Sequence, residues 1–220
     1  MDIFQIAIDG PGGAGKSTVA KAVAQKLNIE YIDTGAMYRA FGLKMLRLGM
    51  AMEDNEKLRQ LLSETVIDFK NGNTILDGEV VNNLIRTQEV SMAASGCSAF
   101  PAVREKMVEI QQNMGRTKSV IMDGRDICEV VFPSAKYKFF VTADTEERAK
   151  RRYSELTAKG ENVSYEQVLE QIRERDLKDS TRSASPMKKA PDAELLDTTH
   201  MTAEEAVDYI CNKVLSDIEA

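Results

Sequence analysis

A short apolar run, Phe4 to Asp9, predicts a strand buried on both faces. Lys16 to Leu27 carries helical periodicity, and Ile29 to Ile32 reads as a second short strand. From Gly35 to Leu48 the apolar positions Met37, Phe41, Met45 and Leu48 fall at helical spacing. Ser119 to Met122 and Tyr137 to Thr142 are further strand candidates, and Leu195-Leu196 marks a last short one. Helices are predicted over Thr145 to Lys159, from Ser164 to about Ser180, and over Thr202 to Ser216. Strands separated by helices predict an α/β fold with a central parallel sheet and right-handed crossovers. Residues 65–82 break this rhythm. There the turn signals Asn71-Gly72 and Asp77-Gly78 separate short β-branched runs, predicting a small antiparallel meander inserted into the α/β core. The segment Ser183 to Asp192, with two prolines, is the one extended loop.

Composition narrows the function classes. The chain has 220 residues, 43% of them hydrophobic and 29% charged, which is enough for one globular core. Its net charge of −6 and pI near 5.1 are opposite in sign to those of a nonspecific nucleic-acid binder, so no nucleic-acid partner is expected. No apolar run approaches the roughly 18 residues of a membrane span, and the N-terminal MDIFQIAIDG lacks a basic signal-peptide region. No membrane association is expected. Cys97, Cys128 and Cys211 are sparse and unmotifed, as suits a reducing cytoplasm. The lone histidine, His200 in TTHMT, reads as a surface loop residue, and without a Cys/His cluster no structural zinc site is expected.

Residues 10–17 match GxxxxGK[ST], with a strand before and a helix after, which identifies a P-loop. Its glycines let backbone N–H groups turn inward around phosphate oxygens, and the following helix presents its positive end to the same anion. The expected ATP contacts are Gly10, Pro11, Gly12, Gly13, Ala14, Gly15, Lys16, Ser17 and Thr18. Lys16 supplies charge to the β- and γ-phosphates, and the Ser17 hydroxyl is a candidate for Mg²⁺. Asp123, closing the run VIMD, is placed either as a second acidic partner for that metal or as a helix cap. The guanine-reading NKxD pattern is absent; the one Asn-Lys pair, Asn212-Lys213, continues as Val-Leu.

The second strand ends in Asp33-Thr-Gly-Ala-Met-Tyr-Arg39. Asp123-Gly-Arg125-Asp126 follows the third core strand. Further on come Arg148-Ala-Lys-Arg151-Arg152, Glu174-Arg175-Asp176-Leu-Lys-Asp179-Ser-Thr-Arg182, and Pro191-Asp192-Ala. Together with the phosphate loop, these pieces resemble the bacterial cytidylate kinases over nearly the whole chain. The resemblance implies a single P-loop kinase domain with core 1–64 and 119–220, an acceptor-binding insert at about 65–118, and a helical lid at about 145–163. It implies a Mg²⁺-dependent transfer of the γ-phosphoryl group of ATP to CMP or dCMP by a cytoplasmic monomer. Thr34, Arg39 and Arg125 would hold the acceptor phosphate. Ser95, Arg104 and Asp126 would read the cytosine edge. Arg175 and Asp179 would meet the sugar, and Arg182 the phosphates. The expected catalytic set is Lys16, Arg125, Arg148, Arg151, Arg152 and Arg182, with the three middle arginines on the lid.

The chemistry of the residues agrees. An acidic protein that joins two polyanions must concentrate arginines locally, and arginine's rigid fork suits phosphate. Arg148, Arg151 and Arg152 also have a plainer reading as partners in helical salt bridges. Two other readings stand: a kinase of a different small acceptor, and a nucleotide-dependent switch. Where many of the similar kinases read Gly-Thr after DGRDI, this chain has Cys128-Glu129. An inert buried thiol is expected at Cys128, with a reactive one as the alternative. Met37, Met45, Met50, Met52, Met92 and Met107 are expected as core filler.

Overall fold

The computed structural model describes residues 3–70 and 72–218, so Asn71 of the expected turn lies outside the described residues. Its main sheet has five parallel strands. They are β1 (Gln5–Asp9), β2 (Glu30–Asp33), β6 (Val120–Asp123), β7 (Tyr137–Thr142) and β8 (Glu194–Asp197), in the order β2-β6-β1-β7-β8. Strand alternation sorts its side chains to two faces. Ala7, Ile32, Val120 and Met122 face α2 (Thr34–Arg47), α3 (Glu56–Ser63) and α5 (Pro101–Thr117). Ile6, Ile8, Ile121, Phe139, Val141 and Leu196 face α1 (Lys16–Leu27) and α8 (Ala203–Ile218).

The meander is β3 (Ile67–Lys70), β4 (Asn73–Leu76) and β5 (Glu79–Val80), antiparallel in that order. Its apolar face, Ile67, Phe69 and Leu76, joins the same core as Ala7 and Met37. Residues 65–118 therefore add to the hydrophobic core rather than enclosing one of their own. Lys44 pairs with Asp77 at 2.6 Å, and Arg47 grips both oxygens of Glu79, so α2 carries the meander. α4 (Gln88–Cys97) crosses α2 closely at Gly42, where a Cβ would lie 2.9 Å from the Ala94 nitrogen.

Three helices, α3, α4 and α5, were not anticipated by the periodicity. In α5 the buried positions are Val103, Arg104, Met107, Gln111 and Gly115, so polar and small residues interrupt the apolar stripe. In α4 the buried face is Val90, Ala93, Ala94 and Cys97, small residues with a weak signal. α3 is two turns long, capped by Asn55. α6 (Thr145–Ala158) packs against α7 (Tyr165–Thr181), whose start is fixed by a capping box of Ser164 and Gln167. The methionine expectation needs correction at two positions. Met37, Met45 and Met107 are buried, but Met92 on α4 is 68% exposed and Met52, whose side chain lies against Gly96 of α4, is 41% exposed. His200 is exposed, as expected.

Candidate active site

The centre of the site grows from the carboxyl edge of the parallel sheet, where open α/β sheets place their ligands, and Arg104 and Arg182 reach it from α5 and the end of α7. β1 runs into the phosphate loop at Gly10, which has φ +139°; a Cβ there would overlap the Val141 carbonyl oxygen of the neighbouring strand. Gly15 adopts a left-handed conformation as the N-cap of α1, leaving the helix's first N–H groups free for an anion. Lys16 is buried, and its Nζ donates to the Pro11 carbonyl at 2.7 Å, folding the side chain back over the loop. Burial, and then the nearby Arg125 guanidinium, push its ammonium well below the usual lysine range.

Beside the loop, the Ser17 hydroxyl donates to Asp123 Oδ2 at 2.8 Å, and the Tyr31 hydroxyl donates to Asp123 Oδ1 at 2.7 Å. Asp123 thus faces the phosphate loop rather than capping a helix. Burial, with Asp33 close by, raises its carboxyl above the ordinary value. Ser17 and Asp123 offer the hard oxygen donors that suit a divalent cation sharing phosphate and water ligands. Thr34 donates to the Asp123 carbonyl at 2.6 Å, locking the start of α2 to the end of β6.

A second group of charged side chains lies beside the phosphate loop. Arg125 and Arg175 flank the phosphate loop: a Cβ on Gly12 would lie 3.6 Å from Arg125 Nη2 and 3.8 Å from Arg175 Cδ. Arg125 Nε donates to Asp179 at 2.7 Å, so α7 is tied to the loop after β6. Asp126 pairs with the buried Arg104 and lies 3.8 Å from Arg182. Arg104 in turn sits over the Tyr38 ring, 6.0 Å from its centroid. Partial burial and the Arg104 guanidinium lower the Arg182 value. The buried Nη2 of Arg182 and Nε of Arg39 have no hydrogen-bond partner among the described residues, donors left for a ligand.

The three arginines of α6 separate. Arg148 is 3% exposed and donates to Ala143 O at 2.9 Å, Gly12 O at 3.0 Å, Thr145 Oγ1 at 2.9 Å and Asp176 at 2.7 Å, bracing the phosphate loop against α6 and α7. Arg151 bonds the Thr198 carbonyl at 2.8 Å. Arg152 is exposed and pairs with Glu155 on its own helix. Ser95 stands exposed on α4, outside the contacts that join Arg104, Asp126 and Arg182. Thr18 is exposed on the first turn of α1.

Four participants were missed from sequence. Asp33, at the head of the DTGAMYR stretch, caps α2 through the Ala36 amide and holds Arg39 at 3.4 Å and Arg86 at 2.9 Å. Arg86 enters from the loop before α4, where nothing in the local sequence flags it. Asp9 is buried at the end of β1 and accepts from the Ile127 and Cys128 amides, each at 2.8 Å. It thereby fixes the segment carrying Arg125 and Asp126, and burial raises its carboxyl value. Tyr31 was visible only as a strand residue. Cys128 itself is buried, its sulfur near the Ala7 and Phe139 carbonyls, and burial pushes its thiol up, as expected of an inert cysteine.

The cytidylate kinase family model matches residues 6–216. The chain belongs to the cytidylate kinase family. It is 51% identical to the cytidylate kinase of Clostridioides difficile over 97% of this chain and 99% of that protein. It is 52% identical to that of Chloroherpeton thalassium over 92% and 89% respectively. Among solved structures, an uncharacterized protein from Eubacterium ventriosum superposes with a TM-score of 0.53 at 14% identity, covering 98% of this chain and 99% of that one, a likeness of fold alone. Among the described residues no helix is long and apolar enough to cross a membrane.

Proposed function

We propose that this cytidylate kinase family member transfers the γ-phosphoryl group of ATP to CMP or dCMP, giving ADP and CDP or dCDP. The observation that carries the reading is the four-residue stretch Asp123–Asp126. Its first member faces Ser17 of the phosphate loop, and its last is joined to Arg104 and Arg182. One short segment thus spans from the donor phosphates to a paired carboxylate and guanidinium able to read a base edge. Asp126 accepts from the exocyclic amino group of cytosine, and Arg104 donates to the ring acceptors. Uracil places an acceptor against the same carboxylate and is disfavoured.

Arg39, with Thr34 and Arg125, holds the acceptor phosphate; Arg175 and Asp179 meet the sugar, and Arg182 the phosphates. Residues 65–118 serve as the acceptor-binding insert and 145–163 as the lid. Ser17 and Asp123 hold Mg²⁺, which when bound neutralises charge on the β- and γ-phosphates. No general base is required, because the attacking acceptor oxygen is already largely deprotonated near neutral pH. Positioning and charge neutralisation supply the acceleration. The enzyme works as a monomer in the cytoplasm, where its three buried free cysteines remain reduced.

The test is ADP release from ATP and Mg²⁺ with CMP, dCMP, UMP, AMP, GMP and dTMP added singly. Stimulation chiefly by CMP and dCMP is expected. Stimulation by another monophosphate overturns the base assignment, and none by any of them overturns the reaction.

A further inference from the structure

We propose that Tyr31 is a positioning residue for Asp123, setting the orientation in which that carboxylate meets a divalent cation; this rests on the reading of Ser17 and Asp123 as its ligands. The two oxygens of Asp123 are bonded separately. Ser17 donates to Oδ2 at 2.8 Å and Tyr31 to Oδ1 at 2.7 Å, so the plane of the carboxylate is fixed from both ends. The register explains how a tyrosine on an edge strand reaches this point. Tyr31 lies opposite Ile121 and Asp33 opposite Asp123, so Tyr31 sits one side-chain step below Asp123 on the same sheet face. Its ring is seated against the core cluster under α1, with the Lys21 ammonium 5.7 Å from the centroid. A ring anchored on packed residues holds its hydroxyl in place more firmly than a flexible polar chain would. Without that hydroxyl, Oδ1 loses this donor and the carboxylate is free to turn away from Ser17. Residues that orient a metal ligand without touching the metal typically contribute about 10–100-fold to metal affinity.

The test is ATP affinity by calorimetry, with Mg²⁺ or Mn²⁺ and again with a chelator, for wild type, Tyr31→Phe, Asp123→Asn and the double variant. In wild type the metal tightens ATP binding. Tyr31→Phe keeps the metal-free affinity within about twofold and loses about tenfold of the metal-dependent tightening. The double variant matches Asp123→Asn alone, because Tyr31 acts only through Asp123. Unchanged tightening in Tyr31→Phe overturns the proposal, as does an equal loss with and without metal, or a double variant clearly worse than Asp123→Asn. A wild type whose ATP affinity ignores the metal overturns the Ser17–Asp123 reading and this proposal with it.

Discussion

The proposed donor and acceptor sides of this site are made of different materials. The donor side is backbone: eight consecutive residues fold a loop whose left-handed glycines and helix start present N–H groups, with Lys16 laid across it. The acceptor side is side chain. Arg39, Arg104, Arg125 and Arg182 come from α2, α5, the loop after β6 and the end of α7. These guanidinium groups face carboxylates, Asp33, Asp126 and Asp179. Those carboxylates keep like charges apart in an otherwise crowded cationic patch. A backbone cradle is committed to one kind of anion, whereas a set of paired side chains can be tuned to a particular base and sugar. The proposed function accordingly puts specificity on the side-chain half.

Breaking the donor side should have the largest effect. Lys16→Ala is expected to lower kcat by about 10³-fold while ATP still binds, because the backbone N–H groups remain. The melting temperature should not fall, since the removed ammonium is a buried charge bonded to a carbonyl. Loss of ATP binding in calorimetry would contradict the backbone account. On the acceptor side, Arg125→Ala should cost about 10²–10³-fold in kcat/KM for CMP and raise its KM as well, because this half has no backbone cradle to fall back on. A change confined to kcat would blur the contrast. The smallest effect lies away from both. Lys138 is nearly enclosed and bonds Asp192 at 2.6 Å, and this bond holds the Asp192 carboxyl below its usual 3.8. A carboxyl depressed on folding stabilises the protein above its unfolded value and loses that contribution as pH falls through the lower folded value. Asp192→Asn should therefore melt below wild type above about pH 4, with the gap narrowing in more acid solution. A gap independent of pH would remove the ion pair from the account.

The same contrast explains what could be read from the chain. The phosphate loop was legible because its function resides in contiguous residues, and the sheet because its three central strands are short, mostly apolar and buried runs. The acceptor side was legible only by resemblance, since Arg39, Arg104, Asp126 and Arg182 span more than 140 positions of sequence. The helix that delivers Arg104 was missed because burying Arg104 and Gln111 interrupts the apolar period. Asp9 and Tyr31 act through other residues, Asp9 on two backbone amides and Tyr31 on Asp123. Such roles leave no spacing signal and need coordinates to appear.

The proposed function turns on Asp126, held by Arg104, reading cytosine from the side-chain half. Its most direct measurement is the ratio of kcat/KM for CMP to that for UMP, in wild type and in Asp126→Ala. Wild type should prefer CMP, and the variant should lose about tenfold or more of that preference while its KM for ATP stays within about twofold. A variant that keeps the wild-type ratio would contradict the claim.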